Sequence, residues 1–384
     1  MMIYFFFSLI YIFLFNSLKA ELLSNYKSYS KTKLNIEIAK VSQRKFNYPW
    51  GMTFIDKNTL LITEKNGGLI KTDVKSGKSV NIQHKIPLLK KRNGQGGLLD
   101  VYAHTDGFIY FTFSHILNGV ESNSSKKYST AVGRGKLKEN ELQNFEVLLT
   151  GIPALETKKH WGSRITIKDD FLFVGFGERD RGMIAQDPEK HPGSIIRIKT
   201  DGSIPKDNPR YKGYENWLPE IYQIGLRNPQ GMTISPLDGK VYFSQHGPMG
   251  GDNIGIVKFA GNMGWKNIAW GGKEYSGRKI GKSRFDEIYD KPIISWVPSI
   301  GVGNISFYKG ETFSEWNGDL IVSATKAKML VRLDIEKNKI VSKEVLIENH
   351  PKIGRIRDFE VSNNGDIYVI SDDYNTSLWL ITKN

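Results

Sequence analysis

The chain has 384 residues, 12% aromatic, with 38 glycines, no cysteine and a formal charge of +14. The absent cysteine excludes a disulfide scaffold, a thiolate metal site and a Cys nucleophile. The positive charge is scattered and shows no basic block interleaved with stacking aromatics, so a nucleic-acid groove is not expected and most of the lysines read as solvated surface.

Taken in chain order, the first 20 residues carry an apolar run from Ile3 to Phe15. It is too short to cross a bilayer comfortably and reads as a secretory signal peptide or an N-terminal anchor, which predicts a periplasmic or secreted protein. A polar linker is expected over residues 21–33, followed by one domain over 34–384. Within that domain a short pattern keeps returning: a turn with Asp, Asn or Gly, then four or five apolar or β-branched residues. It occurs at Asp56–Asn58 before LLIT, Thr105–Gly107 before FIYFTF, and Lys168–Asp170 before FLFVGF. It returns at Leu237–Gly239 before KVYFS, Asn317–Asp319 before LIVS, and Asn364–Asp366 before IYVIS.

Each copy follows one apolar strand, and most precede another. Such a unit cannot bury its faces alone, and six units predict an all-β, six-bladed β-propeller of four-stranded antiparallel blades. A strand near Leu34–Val41 is expected to complete the last blade and close the ring, since an open sheet edge is a liability. The insertions Glu178–Gly193 and Gly272–Pro292 are expected as loops on one face.

Several residues could carry chemistry. His160, in KKHWGSRITI, sits just before a strand and could accept a proton near neutral pH, with Lys158 and Lys159 disfavouring its charged form. A packed or surface histidine would look the same locally. Arg355 and Arg357 are two apart and would share a strand face, seeking carboxylates of a ligand or of Asp358 or Glu360. Lys326 and Arg227 would add cations if the blade ends converge, and four cations at one mouth would suit a small polyacid. Gln95, between glycines, can both donate to and accept from a sugar hydroxyl. The carbonyls of Gly247 and Pro248 could meet a hard cation such as Ca²⁺, although without acidic company the stretch taken alone reads as a plain turn.

Together these stretches resemble the soluble, pyrroloquinoline quinone (PQQ)-dependent aldose sugar dehydrogenases, relatives of soluble glucose dehydrogenase. The resemblance runs in order from Pro49 to the C-terminus through PWGMTF, GQGGLLDV, HWGSRI, GLRNPQG, QHGPMGGD, GNMGW, PSIGVGNISFY, SATK and RIRDFEVS. It implies a six-bladed propeller that oxidises aldoses at the anomeric carbon to lactones, with PQQ and Ca²⁺ as cofactors and an external electron acceptor. His160 would then be the general base, and Arg227 would stabilise charge on the quinone oxygen. Asn228, Lys326, Arg355 and Arg357 would hold the cofactor, Gly247 and Pro248 the Ca²⁺, and Gln95 the substrate, with Trp296 lining the mouth. The chain departs from the family's GHRNPQG, EHGP, GGDE and NYGW at Leu226, Gln245, Asn253 and Met263. The usual Glu and Tyr at the last two resemble ligands of a second, structural Ca²⁺, for which Met263 is a poor donor. Two alternatives stay open: a propeller that binds glycans or proteins without catalysis, and a Ca²⁺-dependent lactone hydrolase, which would need an acidic cluster on the axis.

Overall fold

The structure is a computed structural model that describes residues 22–88, 94–116, 127–337 and 339–383, so the expected signal segment lies outside the described residues. Six antiparallel sheets form, each opening with one of the apolar strands that precede a repeated turn. The innermost strands of blades 1 to 6 are Pro49–Asp56, Leu98–Ala103, Gly162–Lys168, Pro229–Ile234, Val302–Phe307 and Ile356–Val361. Each packs on the next, and the sixth returns to the first, so the ring is closed.

The repeated turn has a local cause. In blade 2 the Asp106 carboxylate accepts the Phe108 N–H, and Gly107 takes a φ of +81°, which a Cβ would disfavour. In blade 1 Asp56 accepts from Asn58 in the same way. The second strand of each blade lies between two neighbouring blades and is buried on both faces. Runs such as FLFVGF (Phe171–Phe176) are therefore continuously apolar and do not alternate. Outer strands, such as Glu141–Thr150, are largely exposed. Apolar clusters fill the wedges between blades; one joins Met52, Leu60 and Ile62 of blade 1 to Ile356, Phe359 and Ile367 of blade 6.

The N-terminal strand Ile36–Lys40 pairs antiparallel with Trp379–Lys383 and completes blade 6, as expected. The stretch read as a linker is not free. Leu23–Ser24 adds a parallel fifth strand to blade 4 and Ser30–Lys31 another to blade 5, covering two outer edges. Trp296 is corrected by the same segment. It lies on the fourth strand of blade 4, fully buried at 0% exposure, and its indole N–H donates to the Tyr29 hydroxyl at 2.7 Å. A side chain enclosed between an outer strand and the N-terminal segment cannot line a mouth.

Candidate active site

The entries of the innermost strands and the ends of the second strands open on one face, and there the singled-out residues meet. His160 immediately precedes the innermost strand of blade 3. Its Nδ1 lies 2.6 Å from Glu178 Oε1, at the end of the second strand of that blade, and its Nε2 lies 3.2 Å from Arg227 Nη2. A guanidinium can only donate, so Nε2 accepts and the ring proton sits on Nδ1, donated to Glu178. This is the neutral tautomer with its Nε2 lone pair facing Arg227. The other carboxylate oxygen of Glu178 accepts the N–H groups of Arg181 and Gly182, at 2.5 and 2.7 Å. Lys158 and Lys159, expected to act on the ring, point to solvent, and Lys159 pairs with Asp180. The charged groups against the imidazole are the Glu178 carboxylate and the Arg227 guanidinium, with Asp180 3.9 Å from Nδ1.

The backbone here is held in unusual conformations. His160, Ser163, Arg179 and Asp180 all have positive φ, between 50° and 93°. Each costs on the order of 1–3 kcal/mol, and such residues collect at functional sites. They persist because the chains cross closely: Arg179 N–H donates to His160 O and Glu178 N–H to Arg227 O. Gln95 also meets His160, its side-chain oxygen accepting the His160 N–H at 2.9 Å. Asn228 is buried, and its Oδ1 accepts from Gly162 N–H, tying blade 4 to blade 3 beneath the base.

From Arg227 a chain of contacts runs in both directions around the mouth. On one side Arg227 Nη1 approaches the carbonyls of His246 and Gly247, each at 3.3 Å. Gly247 N–H donates to Asp252, whose other oxygen accepts from Gly301 and Val302. Gly301 abuts Lys326. The loop is tight: Gly251 has a φ of +90° and a Cβ there would collide with Gly271. His246 donates from Nε2 to Val302 O, and burial pushes its pKa down to about 4. On the other side Gln230 accepts from Arg357 Nη1, and Arg357 Nη2 donates to Asp372 at 2.5 Å. Asp372 also pairs with Lys65 and, at 3.5 Å, with Arg355. Arg355 and Arg357 thus converge, but on Asp372; Asp358 turns away to Arg164.

Sequence reasoning passed over Glu178, Lys65 and Asp372. All three stand at or just beyond the end of the second strand of a blade, the place that carries His246 in blade 4 and Lys326 in blade 5. That repeat-equivalent position was the available signal.

The donor set fits an anionic ligand. Lys65, Arg355 and Arg357 gather on Asp372, Arg227 stands against His160, and Lys326 is exposed beside Gly301. Arg227, buried at 8% exposure, has no carboxylate partner among the described residues, and neither its Nε nor that of Arg357 has a hydrogen-bond partner there. A buried guanidinium without a counter-ion is costly unless a ligand supplies one. For a cation the protein offers less. Gly247 and Pro248 present two carbonyls, and no group of three His, Asp or Glu suited to a metal occurs among the described residues. Most of any coordination shell would come from ligand and water.

A family model described as glucose/sorbosone dehydrogenase matches residues 46–380. Aldose sugar dehydrogenase YliI of Escherichia coli (strain K12) is 31% identical over 350 residues, 88% of this chain and 90% of that protein. Quinoprotein glucose dehydrogenase B of Acinetobacter calcoaceticus is 28% identical over 276 residues, 65% of this chain and 56% of that protein. The apo crystal structure of the soluble aldose sugar dehydrogenase from Escherichia coli superposes with a TM-score of 0.84 at 29% identity, over 91% of this chain and 100% of that chain.

Proposed function

The chain belongs to the glucose/sorbosone dehydrogenase family, whose matched relatives include an aldose sugar dehydrogenase and a quinoprotein glucose dehydrogenase, and from that premise we propose that it is a PQQ-dependent enzyme that oxidises aldoses at the anomeric carbon to lactones. The observation that carries the proposal is His160: a neutral imidazole braced at Nδ1 by Glu178, its Nε2 lone pair turned to a buried arginine that has no carboxylate partner among the described residues.

Oxidation of a cyclic aldose at C1 removes the hydroxyl proton and a hydride, leaving the lactone carbonyl. His160 Nε2 takes the proton as general base. The imidazolium so formed is stabilised by Glu178, whose carboxylate already receives Nδ1–H, so basicity and orientation come from one contact. PQQ, when bound, supplies the two-electron hydride acceptor, and Ca²⁺ beside it would act as a Lewis acid. Arg355, Arg357 and Lys326 would hold the cofactor carboxylates, with Asn228 bracing the cradle. Arg227 is placed to stabilise negative charge that develops next to the base. Gly247 and Pro248 would contribute their carbonyls to Ca²⁺. Gln95, fixed to the His160 backbone through its oxygen, keeps its amide N–H groups for a sugar hydroxyl. An external electron acceptor would be needed to complete each turnover. Export to the periplasm or beyond belongs to the same reading, supported by the Ile3–Phe15 segment, and fractionation of producing cells checks it. No helix among the described residues is long and apolar enough to cross a membrane.

The test is titration of apo-protein with PQQ and Ca²⁺, followed by an aldose and an artificial electron acceptor. Sugar-dependent bleaching of the bound quinone is expected. The His160→Ala protein should bind cofactor normally and lose turnover by about 10²–10⁴-fold. Unchanged turnover would remove His160 from the mechanism, and no cofactor binding by folded wild-type protein would remove the dehydrogenase reading.

A further inference from the structure

The four departures from the family pattern, scattered over four sequence motifs, come together beside Arg227. Leu226 and Met263 are buried in one apolar cluster with Phe173, Ile195, Met232, Val241 and Phe243. Gln245 and Asn253 form an amide bridge directly above it. Gln245 Nε2 donates to Asn253 Oδ1 at 3.2 Å, and Asn253 Nδ2 donates to Gly251 O at 2.8 Å. Gln245 Oε1 accepts the Arg227 N–H at 2.8 Å. Each side-chain amide atom of the pair therefore has a partner.

A small pocket adjoins this bridge, lined by Arg227, Gln245, Asn253, Met263, Trp265 and Trp270 among others. Its character is opposite to that of a cation site. The unpartnered buried atoms on its lining residues are Arg227 Nε, Trp265 Nε1 and Trp270 Nε1, all N–H donors. Its lining has no carboxylate, the Gln245 and Asn253 side-chain oxygens already accept hydrogen bonds, and Met263 offers only a thioether, so backbone carbonyls such as those of Gly247 and Pro248 are the oxygens left. A hard divalent cation needs six to eight oxygen ligands.

We propose that this chain binds no second calcium here, and that the Gln245–Asn253 bridge takes over its mechanical task as a pair of positioning residues. The bridge ties the Arg227 backbone to the second and third strands of blade 4. Through Gly251 it also holds the loop that presents Gly247 and Pro248. Two neutral amides and an apolar plug achieve without an ion what a charged cluster would need one to achieve. The positioning of Arg227 for catalysis rests on the sugar-oxidation reading above; the metal count does not.

The experiment counts calcium bound per chain by atomic emission after equilibrium dialysis of EGTA-stripped, full-length protein with PQQ present. Wild type is expected to retain one ion, and the folded triple variant Gln245→Glu, Asn253→Glu, Met263→Tyr two. Two ions in wild type would overturn the proposal, as would no gain in a triple variant shown by circular dichroism to be folded. No ion in wild type and one in the variant would uphold it while removing the catalytic Ca²⁺. The positioning role is read separately in Gln245→Leu, which strips the acceptor from Arg227 N–H. A fall in kcat of about tenfold at unchanged sugar KM is expected. A lower Tm with unchanged kcat would reduce the bridge to a purely structural one.

Discussion

Two charged clusters lie on the propeller axis, and they are built with opposite balances. At the mouth, Lys65, Arg355 and Arg357 share the single carboxylate Asp372, and the buried Arg227 has no carboxylate partner among the described residues. Farther along the channel, Asp100, Asp358 and Glu360 surround the single cation Arg164, whose Nη1 lies 2.8 Å from Asp100 and 3.2 Å from Asp358. The carboxylates respond in opposite directions. Burial alone would raise Asp372, but Arg357 and Lys65 overcome it and hold that carboxyl well below the usual range. Burial lifts Asp100 to about 7 despite Arg164, with the charge of Asp358 adding to the rise, and Glu360 is lifted well above its ordinary value for the same reasons. The inner cluster can therefore settle its balance by keeping protons, beside a cavity of about 290 Å³ lined by Asp100, Arg164 and Glu360. Arginines at the mouth cannot shed theirs, so that cluster is left needing an anion.

The sharpest way to break this contrast is to remove the inner cation. Arg164→Met leaves Asp100 and Asp358 buried without a cation, held only by backbone N–H groups, and should cost about 3–5 kcal/mol in urea unfolding at pH 7. A loss below about 1 kcal/mol would mean that the inner acids are already neutral without Arg164. Next comes Glu178→Gln, which keeps a hydrogen-bond acceptor for Nδ1 but removes the charge that stabilises the imidazolium. It should lower kcat by about 10²-fold while PQQ affinity is retained, and kinetics with the cofactor saturating checks it.

Asp372→Asn tests the mouth. Lys65 and Arg357 lose their shared anion, but ligand carboxylates and water can reach them, so the stability loss should be about 1–3 kcal/mol, and less with cofactor bound. The sign with pH follows from the lowered pKa of Asp372. Its contribution is fully present above the unfolded value near 4 and is lost as pH falls through the still lower folded value, so wild type and variant should converge in acid.

The smallest effect separates the two clusters by slope. Between about pH 4 and 7 the folded state holds more proton on Asp100 than the unfolded state does, so Asp100 makes stability fall as pH rises. His246, lowered to about 4, does the reverse between about pH 4 and 6.5. Asp100→Asn should thus make the slope of unfolding free energy against pH more positive, and His246→Gln less positive. Each change is at most about 1.4 kcal/mol per pH unit. Urea midpoints at pH 4.5 and 6.5 measure both, and slopes moving in the same direction would refute the opposed balances.

Much of this molecule is written locally in its chain. The repeated turn and the doubly apolar second strands specify six blades, because strand and turn preferences act over a few residues. His160 and Arg227 were legible as candidates because loops at strand entries concentrate polar residues that a core would reject. Which partner each residue meets was decided by closure of the ring. Lys65 and Asp372 lie 307 residues apart and touch because blade 6 docks on blade 1. Glu178 reaches His160 from the next strand of the same blade, and Trp296 is sealed by the folded-back segment that carries Tyr29. The amide bridge of Gln245 and Asn253 likewise appears only when neighbouring strands align. Composition and periodicity determine that blades form and where polar residues emerge. The identity of each neighbour, and so the charge balance and tautomer at the site, follows from packing between blades, which no local pattern encodes.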